Sequence, residues 1–343
     1  MTYGLNDGAI AYYTSLGYTG TVGDMERQFL QASTGGAYPN ATNQDLWLIL
    51  CDLLGYTTGS LEERRRNMLT GLMVTNIATF NDTLVAFFNF ETSFTPRDLF
   101  APGVQGAWYD ISELTTLYQD SAGTIPVTAV GDPVGRVLDR SGEGHHLIQT
   151  TSTKRPLLGL SNGKYYLDFD GVDDALISVD TLDLTATKLM TTAMGLSRDT
   201  TTTADVALEH GIGGTSPQAM TITGASGSTG LAAIMRGPTG SPQSTVAASG
   251  LVTTEAFFDR SQATVAAQVT QRINGSAVTN TSSSTVVPTT SFFGDYNIYV
   301  GARNQVTNPF DGRIYQIVIV DSILSGADLT NLEAWINSKT GAY

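Results

Sequence analysis

The chain has 343 residues, 32 acids against 18 bases for a net charge of −14, and 41% hydrophobic residues. Neutralising phosphates takes clustered Lys and Arg, so this balance argues against nucleic acid as a partner, and no apolar run approaches the ~20 residues of a membrane-spanning helix, so no membrane partner is expected. A single cysteine, Cys51, excludes an intrachain disulfide framework. Charged residues make up only 15%, below the usual ~25%, a profile that suits a long-lived extracellular β protein better than a cytosolic enzyme. The start, Met1 to Tyr13, has neither a basic segment nor a continuous apolar one, so a cleaved secretory signal is not expected.

Residues 1–94 read as a small α-helical module. Leu16-Gly17-Tyr18-Thr19 recurs as Leu54-Gly55-Tyr56-Thr57, and each copy precedes a helix start, Thr21 with Asp24 and Ser60 with Glu63, at the spacing by which a hydroxyl caps helix amides and an acid reaches back. Val22, Met25 and Phe29 form one apolar stripe and Leu61, Met68, Leu69 and Leu72 another. Cys51 sits in the apolar run Leu46 to Leu54, as a small buried hydrophobe would, and Arg64 to Arg66 read as a solvated helix face.

Residues 95–343 read as β structure. Within 95–160, Pro and Gly break up short strands such as Gly106 to Asp110, and these serve as entry strands and turns. From 161 on, strands recur at 8 to 12 residue spacing without helices between them, which indicates a sandwich or barrel. Asn162-Gly163 is a hairpin signal, because type I′ turns need two residues that tolerate positive φ. In Gly163 to Val179, GKYYLDFDGVDDALISV, alternation runs through Leu167 and Phe169, breaks at an acidic turn and resumes at Ala175, Ile177 and Val179, which reads as a meander of antiparallel strands. Ser325 and Asp328 open a last helix with Leu329, Leu332, Trp335 and Ile336 as its stripe, expected to cover one end of the sandwich.

Three of these segments carry a resemblance. LDFDGVDDAL, then Arg272 to Val278 (RINGSAV), then Ile298 to Gly341 resemble, in order, the strand-turn, the hairpin and the closing strand and helix of concanavalin A-like or laminin-G-like jelly rolls. The fold implied is mainly β: an antiparallel jelly-roll sandwich at 95–343 behind a helical module at 1–94. The LGYT repeats, together with GAWYD, DSAGT and LDRSGEGHHL, resemble segments of tailed-bacteriophage structural proteins. That implies a virion component assembled in the host cytoplasm and exposed on the particle, with other capsid or tail proteins as partners. It also implies a homo-oligomer, although no coiled-coil heptad is present, and contact with host-surface glycan. A secreted bacterial lectin is the alternative.

Asp168, Asp170, Asp173 and Asp174 place four carboxylates within seven residues. Hard oxygen ligands at a turn suit Ca²⁺, and jelly rolls of the resembling family hold calcium near a loop; the same residues also build turns for conformational reasons alone. No cofactor is required. Asn304, Gln305, Asn308 and Asp311 supply amide and carboxylate groups of the kind a carbohydrate site needs, with Tyr296 as a stacking ring. Trp108, Tyr109, Tyr299 and Phe310 could stack on sugars as well, but a sandwich needs large inward residues. Adjacent His145 and His146 would project to opposite sides, a poor geometry for a shared metal. The alternating acids E-x-D-x-x-E of the related glucanases are absent from the sequence, so no hydrolase is expected.

Overall fold

The computed structural model describes residues 94–343, apart from 200–203, 213–215, 225–229, 279–280 and 284. The helical module expected before Phe94, with Cys51 and the Arg64 to Arg66 run, lies outside the described residues.

The described chain opens with short strands: β1 (Gly106–Asp110), β2 (Leu117–Tyr118), β3 (Arg136–Val137), β4 (Leu147–Ile148), β5 (Leu157–Ser161), β6 (Lys164–Asp170), β7 (Leu176–Ser178) and β8 (Leu182–Asp183). Next come β9 (Leu189–Arg198), β10 (Asp205–His210), β11 (Met220–Gly224), β12 (Leu231–Met235), β13 (Gln243–Val246) and β14 (Leu251–Asp259). After a one-turn helix α1 (Val265–Gln268) come β15 (Val269–Ile273), β16 (Ser276–Ala277), β17 (Thr281–Ser283), β18 (Asp295–Tyr296), β19 (Ile298–Val300) and β20 (Asp311–Val320), and helix α2 (Gly326–Thr340) closes the chain.

The strands form two large antiparallel sheets. The first, of eight strands, runs β16-β15-β14-β9-β20-β6-β5 with β1 also on β20; the second, of ten, runs β17-β13-β12-β11-β10-β19-β7-β4-β3-β2. Side chains alternate across each strand, and the inward sets of both sheets, among them Leu167, Phe169, Met194, Leu208, Ile222, Val300, Ile314 and Ile317, make one buried cluster. This is the sandwich the strand spacing predicts. Both Asn-Gly hairpins are present with positive φ at each centre: Asn162 (49°) and Gly163 (75°), Asn274 (50°) and Gly275 (69°).

Two expectations need correction. The acidic stretch is not a meander, because β6 joins the first sheet and β7 the second, so the turn between them crosses from one layer to the other. The entry strands of 95–160 are part of the two sheets, with β1 in register along β20 and β2, β3 and β4 extending the second sheet. Helix α2 covers a face and not an end. Leu332 and Ile336, with Leu329 and Trp335 half-buried beside them, pack on Trp108, Ala193, Val318 and Val320 from the outer face of the first sheet. Its Ser325 has the extended backbone of a cap, but the side chain makes no capping hydrogen bond.

Candidate functional site

The crossover turn is built on its own carboxylates. Asp170 ends β6, and its Oδ1 accepts the amides of Val172 (2.8 Å) and Asp173 (3.3 Å), while Gly171 takes a φ of 71° that the reversal requires. Asp174 folds back so that its Oδ2 accepts the Asp170 amide at 3.1 Å, and Asp173 reaches Lys154 Nζ at 3.8 Å. Carboxylate oxygens of Asp170, Asp173 and Asp174 all lie within 4.8 Å of one another. Burial raises the Asp174 carboxyl to about 6, and the neighbouring Asp170, Asp173 and Asp168 push the same way against its backbone hydrogen bond. Those three residues could hold a cation, because hard oxygens at a tight turn are the donor set of Ca²⁺. Asp168 is not part of that group. It stands opposite Arg313 in the β6–β20 register, with Arg313 Nε 3.9 Å from its Oδ1. Two acids at alternate positions on a strand share a face, but here the second is drawn into the turn and the first into a cross-strand pair.

The loop from Gly301 to Asp311 packs against this turn. The Gly171 amide donates to Phe310 O (3.1 Å), Phe310 is fully buried edge-on to Phe169 at 6.0 Å, and a Cβ on Gly171 would stand 2.7 Å from that of Asp311. Arg303 and Thr307 exchange backbone hydrogen bonds (2.8 and 3.1 Å) around a tip where Asn304 and Gln305 have φ of 50° and 58°. Asn is one of the few residues that enters that region readily. Gln149 Nε2 donates both to Gln305 Oε1 (3.2 Å) and to Ala175 O (2.6 Å), tying tip to turn, and Asn308 Nδ2 donates to Ala204 O at 2.9 Å. Val172 and Val306, 72% and 76% exposed, protrude from the two loops.

Gln305, through Gln149, and Asp311, against Gly171, are therefore brought to the turn that holds Asp170, Asp173 and Asp174, while Asn304 shares the tip with Gln305 and the Asn308 amide turns to Ala204. Tyr296 is not brought there. It lies beyond the opposite end of β19, pairs with Leu182, donates its hydroxyl to Pro217 O at 2.7 Å and lies against the His210 ring at 5.5 Å. Trp108, Tyr109, Tyr299 and Phe310 are all buried: Tyr109 and Phe310 in the inter-sheet core, Trp108 beneath α2 on the outer face of the first sheet, and Tyr299 on the opposite side of β19 from the core residues Ile298 and Val300. His145 is buried, while His146 Nδ1 accepts the Asp139 amide (3.0 Å). The LDRSGEGHHL segment is a structural knot: the buried Asp139 carboxylate accepts the amides of Trp108, Ser141, Gly144 and His145 and the Ser141 hydroxyl. Gln149 escapes sequence reasoning altogether, because it sits 156 residues from the glutamine it holds.

No family model matches the chain, and no curated protein matches it. Solved structures with a similar outline include the CBM40 module of the Ruminococcus gnavus IT-sialidase bound to α2,3-sialyllactose (15% identity, 44% of this chain, 84% of that one, TM-score 0.34). The ligand-binding domain of botulinum neurotoxin serotype D in complex with N-acetylneuraminic acid gives 10% identity over 61% of this chain and 50% of that one, TM-score 0.41. Trypanosoma rangeli sialidase in complex with sialic acid gives 12% identity over 70% and 34%, TM-score 0.43. At these scores they lend this chain neither a residue role nor a ligand.

Proposed function

We propose that the chain is a non-catalytic attachment protein whose β-sandwich recognises glycan through the joined turn 170–174 and loop 301–311, and whose N-terminal module docks to a bacteriophage particle. The observation that carries the glycan reading is the juxtaposition itself. Two loops remote in sequence set amide and carboxylate groups side by side at one rim of the sandwich, with a backbone fixed by left-handed residues and by Gln149. Amides and carboxylates in fixed array are what hydrogen-bond sugar hydroxyls, and rigid positioning reduces the ordering cost of binding. A cavity between Leu196, Arg198, Leu231 and Val252 has about 20 Å³, room for about one water, so the reading places the sugar on the loops. The virion part rests on the LGYT repeats and the segments that resemble phage structural proteins.

The test is a glycan microarray probed with the full chain and with Gln305→Ala, with and without calcium. Saturable binding that weakens in the variant supports the reading. Binding unchanged by the variant, or absent with the chain correctly folded, contradicts it.

A further inference from the structure

The outward face of the ten-stranded sheet carries a second polar group, apart from the loop atoms described above. Register aligns Ile177, Tyr299, Glu209, Thr221, Ile234 and Gln243 across β7, β19, β10, β11, β12 and β13. Their chain neighbours Leu176, Val300, Leu208, Ile222 and Ala233 belong to the inter-sheet core, so alternation turns this row outward. Glu209 at its centre is nevertheless fully buried. Arg303 Nε donates to its Oε1 at 3.2 Å, the Thr221 hydroxyl lies 3.5 Å from the same oxygen, and Oε2 has no hydrogen-bond partner.

Arg236 follows β12, and its backbone pairs with Ala219, which keeps it on the same face as Ile234 two residues earlier. Its guanidinium lies within electrostatic range of both Arg303 and Glu209, its Nε is buried with no hydrogen-bond partner, and among the described residues it makes no ion pair. A chain with 32 acids and 18 bases thus holds, at this place, two guanidiniums around one carboxylate. Glu209 is paired with Arg303, so among the described residues the group keeps one uncompensated positive charge in a partly desolvated setting, where an anion gains most. Guanidinium presents its donors in a planar fork that matches a carboxylate. Arg303 is also the base of the loop that carries Asn304 and Gln305, so an anion held here lies next to the proposed sugar site.

We propose that Arg236 and Arg303 form a subsite for the carboxylate of an acidic sugar, a uronic acid or one of like charge, with Glu209 orienting Arg303 from beneath. This rests on the glycan reading and specifies its ligand class. The test titrates the full chain with uronic acid oligosaccharides and with their methyl esters, which keep the ring and remove the charge, and follows the arginine side-chain Nε–H resonances by NMR alongside affinity. The expected result is saturable binding of the acids that shifts the Arg236 and Arg303 resonances, roughly tenfold weaker for the esters and for Arg236→Gln, with partial recovery in Arg236→Lys. If acids and esters bind equally and Arg236→Gln changes nothing, the acidic subsite is overturned while glycan recognition stands. If neither form binds and the microarray is also blank, both fall. Glu209→Gln separates the positioning role, since it should disturb the Arg303 resonance and leave that of Arg236 responsive to ligand.

Discussion

Thr340, near the end of the closing helix, places its methyl 2.0 Å from where a Cβ on Gly195 would stand. Gly195 is mid-strand in β9, and its missing side chain is what lets α2 lie flat on the first sheet. Gly195→Ala should push the helix off its seat and cost about 1–3 kcal/mol, read as a lower thermal midpoint with a change in near-ultraviolet circular dichroism from the edge-to-face pair Trp108 and Trp335. An unchanged midpoint would mean that the helix is not fastened there.

The Asp139 carboxylate gathers amides from two separate segments. Asp139→Ala would strand those buried donors, and hydrogen bonds to a charged acceptor are the costly ones to lose. The expected destabilisation is about 3–5 kcal/mol in denaturant unfolding. A loss below about 1 kcal/mol would show that water replaces the carboxylate.

Beneath the same helix, Glu255 is fully buried on β14 opposite Arg272, which is ion-paired to Glu333 of α2. Burial, with Glu333 adding and Arg272 opposing, raises the Glu255 carboxyl from 4.5 to about 8. A raised acid contributes stability that is fully present below its unfolded pKa and is lost as pH rises through the folded one. Stability should therefore fall by up to about 1.4 kcal/mol per pH unit between those two values. Glu255→Gln should flatten that slope; a parallel slope in the variant would place its cause elsewhere.

The same sign holds for Asp174, whose stabilising proton is lost as pH rises through about 6. A divalent cation held by Asp170, Asp173 and Asp174 would replace that proton. Calcium should then raise the thermal midpoint at pH 7.5, do little at pH 5, and do nothing in Asp174→Asn. Equal shifts in wild type and variant would remove these residues as ligands.

Much of the sandwich was legible because strand alternation and Asn-Gly turns are local signals. Gly106–Asp110 occurs with the bounds its pattern predicts. Sheet membership was not legible, since nothing local in Gly163 to Val179 says that β6 and β7 part into different layers. The rim was half legible: Asn304, Gln305, Asn308 and Asp311 stand out as polar residues of one loop, whereas nothing local shows that Asp168 stands against Arg313 and Tyr296 against His210, away from that loop. Glu209 looks like any acid in a strand, and nothing local shows that Arg303, 94 residues away, pairs with it.

The most direct test of the account is a backbone amide NMR map of the full chain titrated with the strongest oligosaccharide from the microarray. The account predicts saturable shifts concentrated at residues 170–174 and 301–311. Shifts concentrated elsewhere, for example along α2 and the outer face of the first sheet, would contradict it.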